Sequence, residues 1–206
     1  MNLLIFGATG DTGRELVKQA LAQGHTVTAF SRHADELTAD FPTIKTIEGD
    51  VTDKATVEKA VQGQDAVLSA LGSSSLKRSP ALTTGVRNIV EAMEQYNVRR
   101  LVYQSSLGVG ESRKQVGFLV RYIIIPLVLR NAIADHEDKE RIIKKSNLDW
   151  VIVRPAGLTN GDHTGEYRSG ETIDFGAKIA RADVADFMLQ QVTDDACLKK
   201  TPGVSY

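Results

Sequence analysis

The chain opens on a short apolar run that ends in three glycines, at positions 7, 10 and 13. Residues 2–6 have the composition of a buried strand, and residues 11–23 have the pattern of a helix. Gly7 permits a sharp turn, Gly10 lets a ligand approach the backbone, and Gly13 lets the helix pack closely on the strand. Unpaired N–H groups at such a helix N-terminus favour a diphosphate. An ordinary glycine-rich turn is the alternative. We predict a nucleotide site formed by Gly7, Thr9, Gly10, Asp11, Thr12 and Gly13.

The composition is that of a single α/β domain. The 206 residues include 25 Lys plus Arg and 26 Asp plus Glu, so the formal net charge is -1. We therefore expect no bulk attraction to nucleic acid. The single cysteine excludes an internal disulfide, and the histidines have no metal-ligand spacing, so we expect no metal site. Because the first strand begins almost at Met1, we expect no cleaved signal peptide, a cytoplasmic location and no membrane segment.

Strand and helix patterns alternate along the chain, which predicts an α/β, Rossmann-type doubly wound parallel sheet. We expect one NAD(P)-binding domain over residues 1–206, with a small substrate-side region from about residue 155 to 206. Residues 117–145 read as mostly helical with an interruption at Pro126, and residues 156–170 read as a loop. The other expected strands are 26–30, 44–48, 65–71, 100–104, 150–153 and 178–180, and the other expected helices are 32–40, 53–61, 81–96 and 181–192.

The end of the second strand indicates which dinucleotide is bound. A carboxylate at this place holds the ribose 2′-hydroxyl of NAD, but no carboxylate follows the strand directly. Arg32 offers a planar, permanently charged fork for a 2′-phosphate, and Ser31 can add a hydroxyl. We therefore expect NADP(H) to be preferred, the alternative being a solvated arginine. Asp35 and Glu36 lie just beyond and keep NAD(H) possible.

Two further strand ends contribute candidate cofactor contacts. Asp50 can accept a hydrogen bond from the adenine amino group, with the Val51 N–H nearby, or it can simply cap a turn. After the fourth strand, Ala70, Leu71 and Gly72 are small enough to let the ribose and nicotinamide lie against the sheet edge.

Several segments together resemble the atypical short-chain dehydrogenase/reductases, including the biliverdin or flavin reductase and NmrA-like groups. The resemblance covers essentially the whole chain. The matching segments are Gly7-Ala8-Thr9-Gly10, Ser31-Arg32, Gly49-Asp50-Val51, Gln64-Asp65-Ala66-Val67, Ser105-Ser106, and residues 85–90, 148–155 and 204–206.

The resemblance implies a Rossmann fold, NADP(H), and hydride transfer to a flavin or a linear tetrapyrrole. Ser106, with Ser105 beside it, matches the serine that lies near the nicotinamide in that family, so these two serines are the candidate catalytic residues. The family's histidine just after the sixth strand is absent, since Ala156 follows Arg154-Pro155, whereas His136 has a counterpart.

The acid/base chemistry of this chain is sparse. No correctly placed Tyr-x-x-x-Lys pair exists, which argues against a general alcohol or ketone dehydrogenase. Ser106 can orient a carboxamide or a substrate edge, or it can cap the strand end. His136 lies in a highly charged run, which favours a solvated helix face, and Arg154 reads as a structural anchor that pairs with a carboxylate.

The apolar run at residues 116–129 has three interpretations: a buried helix, an apolar wall or lid over the nicotinamide, or a dimer surface. We expect a flat aromatic substrate, no nucleic-acid or membrane partner, and a monomer or small homo-oligomer. The main hypothesis is a reductase of the flavin or bilin type. The alternative is a non-catalytic protein that senses NADP(H) and acts through a protein partner.

Overall fold

Alternate residues of the first strand enter two separate cores, and this alternation organises the molecule. In a computed structural model, which describes residues 1–33, 35–72, 77–114, 117–118, 120–172 and 176–206, Leu3 and Ile5 pack in one core and Leu4 and Phe6 in the other. All four side chains are fully buried. A strand buried on both faces belongs inside a sheet that is covered by helices on each side.

The strands are β1 (Asn2–Phe6), β2 (Thr26–Ser31), β3 (Lys45–Glu48), β4 (Ala66–Ser69), β5 (Arg100–Gln104), β6 (Asp149–Pro155), β7 (Gly157–Thr159), β8 (Arg168–Gly170), β9 (Lys178–Ala180) and β10 (Gly203–Ser205). The helices are α1 (Asp11–Ala22), α2 (Asp35–Thr38), α3 (Lys54–Val61), α4 (Pro80–Gln95), α5 (Arg130–Lys145) and α6 (Arg181–Gln190). A 3₁₀ helix (Gly110–Lys114) and a π-helix (Val120–Leu129) lie between β5 and α5.

The main sheet has the strand order β3-β2-β1-β4-β5-β6-β10-β8. Strands β1 to β6 and β10 run parallel, and β8 pairs antiparallel with β10. The predicted doubly wound parallel sheet is confirmed. Because the strand order reverses between β1 and β4, their carboxyl ends diverge into a crevice, the usual ligand site in such sheets.

Helices cover the two faces of this sheet. Helices α1 and α6 share the core that contains Leu16 and Val184, and helices α3, α4 and α5 share the core that contains Val57, Ile89 and Ile143. No helix within the described ranges is both long and apolar enough to cross a membrane.

Three sequence expectations about the second half of the chain were wrong. The expected loop at residues 156–170 contains β7 and β8, and β10 near the C-terminus was not expected. Three-residue strands carry too little periodicity to be recognised from sequence. Pro126 does not interrupt the helical segment but lies inside the π-helix, where the wider winding accommodates a residue that lacks an N–H.

Candidate dinucleotide site

A cavity of about 390 Å³ opens at the carboxyl ends of β1, β2, β3 and β4. It lies in the crevice that the reversal of strand order creates. Most of the predicted cofactor residues line it together. The lining residues are Gly7, Thr9, Gly10, Phe30, Ser31, Arg32, Gly49, Asp50, Val51, Ala70, Leu71, Gly72, Ser79, Ala81 and Leu82.

The structure gives a different reason for glycine at each of these three positions of the first turn. Gly7 has a φ of +74°, and a Cβ there would lie 2.7 Å from the Ala70 carbonyl oxygen. A Cβ on Gly13 would lie 2.1 Å from the Gly7 carbonyl oxygen, so this residue must be small for α1 to begin where it does. A Cβ on Gly10, in contrast, would have one neighbour within 4 Å among the described residues, the Gly7 carbonyl oxygen at 3.4 Å, so a side chain there would point into free space. That space, at the N-terminus of α1, fits a diphosphate group.

The predicted residues Asp11, Thr12 and Gly13 do not line the cavity. They form the first turn of α1, immediately after the lining residue Gly10. The Thr12 side chain is buried and Asp11 is exposed. Any contact that these residues make with a diphosphate would therefore come from their backbone N–H groups, which a helix leaves unpaired in its first turn.

The second strand brings Arg32 and Ser31 to the same cavity. The Ser31 hydroxyl lies 3.0 Å from the Thr9 hydroxyl and accepts a hydrogen bond from the His33 N–H. This contact ties the end of β2 to the glycine turn. Arg32 is exposed at the cavity rim, where its guanidinium can reach a phosphate.

Asp50 caps a turn at the end of β3. Its Oδ1 accepts from the Thr52 N–H at 2.8 Å and from the Thr52 hydroxyl at 2.7 Å. The backbone hydrogen bond from Thr52 contributes most to lowering the pKa of Asp50 below its usual value. The turn-cap interpretation is thus realised, and adenine recognition by Asp50 stays a prediction.

Helix α4 fixes this turn through residues that the sequence reasoning did not single out. The Asn88 side-chain amide donates to the backbone carbonyls of Val51 and Thr52. A Cβ on Gly85 would lie 2.4 Å from a methyl group of Val51, so only glycine lets α4 approach so closely. The lining residues Ser79, Ala81 and Leu82, at the start of α4, were also not predicted. Their helical pattern gave no sign that this end of the helix faces a ligand.

The predicted catalytic serines lie outside the cavity lining. The Ser105 hydroxyl is buried and donates to the Glu140 carboxylate at 2.8 Å, so it supports the fold. Ser106 is half-buried, and its hydroxyl contacts the Leu107 carbonyl oxygen at 3.2 Å. Of the two hydroxyls, that of Ser106 makes the longer hydrogen bond, at 3.2 Å against 2.8 Å for Ser105.

Arg154 forms the centre of a buried ion-pair network below these serines. Its guanidinium donates to both Glu140 oxygens, at 3.0 and 2.6 Å, and to Glu111 at 2.9 Å. Burial alone would raise the pKa of Glu111, but hydrogen bonds from its own backbone and from Arg154 lower it to about 2. The expected role of Arg154 as an anchor paired with a carboxylate matches this geometry.

The expectation that His136 lies on a solvated helix face was wrong. Its neighbours Asp135, Lys139 and Glu140 are all buried, and Lys139 pairs with Asp135 at 2.8 Å. The Nδ1 atom of His136 is buried and has no partner among the described residues. Burial and then the nearby Lys139 charge lower the pKa of His136 to about 4. Part of this charged run therefore lies on the buried face of α5.

The π-helix segment exposes several large apolar side chains, which we call the exposed apolar face. It comprises Phe118, Tyr122, Ile123, Leu127 and Val128. Their exposed fractions range from 44% to 78%, whereas Ile125 is buried. The buried-helix interpretation of residues 116–129 is therefore wrong for this face, and residues 116 and 119 lie outside the described residues.

Known proteins resemble this chain along its length. The model of the family described as NAD(P)H-binding matches residues 7–195. A photosystem II assembly factor, Ycf39 from Synechocystis sp., is 28% identical over 98% of this chain, and the chain spans only 61% of that protein. ChuY from Escherichia coli O157:H7, described as an anaerobillin reductase, superposes with a TM-score of 0.82 at 24% identity. The match covers 100% of this chain and 97% of the ChuY chain.

A wide-type short-chain dehydrogenase/reductase from Veillonella parvula, solved in complex with NADP, has a TM-score of 0.83 at 19% identity. The match covers 100% of this chain and 94% of that chain. These solved structures share the Rossmann-type fold, and the family match extends over most of the sequence, including the cavity described above. The chain therefore belongs to the family described as NAD(P)H-binding.

Proposed function

We propose that this protein is an NADPH-dependent reductase that transfers hydride to a flavin or a linear tetrapyrrole. One observation carries the proposal: the glycine turn and the Arg32 guanidinium line one cavity, and no carboxylate directly follows β2. When bound, NADPH would supply the hydride. The glycine turn would hold its diphosphate, and Arg32 with Ser31 would bind its 2′-phosphate.

The acceptor class follows from the scarcity of acid/base groups. A carbonyl acceptor needs a proton donor such as a Tyr-Lys pair, and the sequence holds no correctly placed pair of this kind. An oxidised flavin or conjugated tetrapyrrole delocalises the charge that it receives, and solvent can supply the proton. The protein then has mainly to orient the acceptor against the nicotinamide. The family resemblance and the neighbour described as an anaerobillin reductase support the same class.

Within this proposal, Ser106 orients the nicotinamide carboxamide or an edge of the acceptor. The exposed apolar face or the neighbouring π-helix backbone would form a wall against which a flat substrate rests. The small residues at the end of β4, Ala70 and Gly72, leave room for the nicotinamide half of the cofactor.

The test is NADPH oxidation, followed by near-ultraviolet absorbance, with FMN, FAD, riboflavin and biliverdin as acceptors. Ser106→Ala should lower kcat and leave NADPH affinity unchanged. Ser146→Ala is the matched control, because the Ser146 hydroxyl also donates to a nearby backbone carbonyl. Ser146 precedes β6, whereas Ser106 follows the parallel strand β5, so the two serines lie at opposite edges of the sheet. Equal turnover in both variants would contradict the role of Ser106.

The exposed apolar face favours a second candidate, a non-catalytic NADP(H) sensor that acts through a protein partner. A surface of five large apolar side chains is unusual unless something covers it. The likeness to an assembly factor supports the same possibility. Tight NADPH binding without turnover on any of the four acceptors would favour the sensor over the reductase.

A further inference from the structure

The first residue of α6 reaches across to the first turn of α1. The Nε atom of Arg181 lies 3.6 Å from Oδ2 of Asp11, and its Nη1 donates to the Asn160 side chain. One guanidinium thus links the glycine turn to the segment that follows β7. The Arg181 side chain is 25% exposed, whereas the Asp11 side chain is 65% exposed.

The packing of α6 on α1 explains why Arg181 is at this place. The Gln19 side-chain amide of α1 donates to the Ala182 carbonyl oxygen of α6 at 2.8 Å. The two helices share one core, and the Arg181–Asp11 pair joins their first residues. Arg181 therefore projects from a firmly packed helix start toward the turn that contains Gly10.

The charges at this turn need an explanation if a diphosphate binds there. Asp11 follows the cavity-lining residue Gly10 directly, and its carboxylate would repel a diphosphate. Arg181 offsets that charge. Its Nη1 donates to Asn160 and its Nε lies within ion-pair distance of Asp11, whereas no described residue accepts from its Nη2, so this donor is available to a phosphate oxygen.

We propose that Arg181 binds the diphosphate of the dinucleotide from the α6 side, while Asp11 and Asn160 orient its guanidinium. The proposal rests on the proposed function only in requiring that NADP(H) binds. Arg181 is then a second cation in the site. It contacts the diphosphate, whereas Arg32 contacts the 2′-phosphate. A charge-assisted hydrogen bond of this kind changes affinity by about tenfold or more.

Binding measurements on purified protein test this assignment without any acceptor. Arg181→Gln should weaken NADPH and ADP about tenfold, because both carry a diphosphate. It should leave adenosine 2′-monophosphate unaffected, because this ligand carries only the 2′-phosphate. Lys178→Ala is the matched control, an exposed cation three residues earlier, and should leave all three affinities unchanged.

Asp11→Asn separates direct binding from a merely structural ion pair. If Arg181 contacts the diphosphate, this variant should bind NADPH as tightly as the unmodified protein or more tightly, because repulsion is removed. If Arg181 only supports the turn through Asp11, both variants should lose affinity alike, which would overturn the proposal. An unchanged NADPH affinity in Arg181→Gln would also overturn it. Absence of NADPH binding in the unmodified protein would instead refute the proposed function.

Discussion

Arg32 and Ser31 occupy the end of β2, where a single residue decides how the ribose is recognised. The hydroxyl contact between Thr9 and Ser31 holds this strand end against the glycine turn. Arg32 stays exposed beside it and lines the cavity. A guanidinium here can bind a 2′-phosphate in two parallel hydrogen bonds.

The residue-scale prediction is that Arg32→Ala weakens NADPH binding far more than NADH binding. The loss for NADPH should be about tenfold to a hundredfold, because one charge-assisted interaction disappears. Titration of both nucleotides by fluorescence would measure it. Equal losses for the two nucleotides would contradict the assignment of Arg32 to the 2′-phosphate, and His33→Ala, at the next exposed position, serves as the control.

At the scale of elements, the join between β1 and α1 illustrates two different uses of glycine. Gly13 is dictated by packing, because a Cβ there would lie 2.1 Å from the Gly7 carbonyl oxygen. A Cβ on Gly10 would meet no such crowding, and we infer that glycine is needed here because a ligand approaches the backbone closely. The two substitutions should therefore separate stability from binding.

Gly13→Ala should destabilise the protein by about 1–3 kcal/mol, because α1 must move away from β1 to accommodate the methyl group. Gly10→Ala should leave the unfolding midpoint nearly unchanged but weaken NADPH binding at least about tenfold, since its methyl group would occupy the diphosphate space. Denaturant unfolding and nucleotide titration of both variants would check this. A Gly10→Ala variant with full affinity would show that no ligand approaches the backbone there.

At the scale of the whole molecule, the ion-pair network joins parts that are distant in sequence. Glu140 of α5 receives hydrogen bonds from Arg154 of β6 and from Ser105 after β5, and Arg154 also reaches Glu111 of the 3₁₀ helix. Both Glu140 and Arg154 are almost completely buried. Such a pair need not stabilise more than apolar packing would, but the loss of Glu140 leaves the Nε and Nη2 donors of the buried Arg154 without their acceptors, and only the Nη1 contact with the exposed Glu111 carboxylate is kept.

Glu140→Ala should therefore lower the free energy of unfolding by about 3–5 kcal/mol. Arg141→Ala, one residue further along the same helix, should change it by less than about 1 kcal/mol, because the Arg141–Asp138 pair is on the surface. Equilibrium urea unfolding of the two variants would make the comparison. Similar effects of both substitutions would mean that the network contributes little beyond an ordinary surface pair.

Local signals were sufficient for much of the fold and for many of the residues that line the cavity. The alternation of strands and helices predicted the doubly wound sheet because the central strands β1, β4 and β6 are largely apolar runs, a pattern that needs no tertiary information. The strand ends alone predicted that Gly7, Gly10, Arg32, Asp50 and the residues after β4 lie together, because the carboxyl ends of parallel strands lie at one edge of the sheet. Their contacts with a cofactor stay predictions.

Partners that are distant in the chain decide the environment of several residues, and local sequence patterns do not reveal these partners. Strand β10 exists because β6 and β8 supply its hydrogen-bonding partners, although its three residues have no pattern of their own. The sequence suggests a site role for Ser105, yet its hydroxyl is buried against Glu140. It suggests a surface position for His136, yet the Nδ1 atom of this side chain is buried. Periodicity specifies how a segment folds, whereas the burial and charge partners of a side chain depend on which elements pack against it, and only the three-dimensional arrangement establishes these.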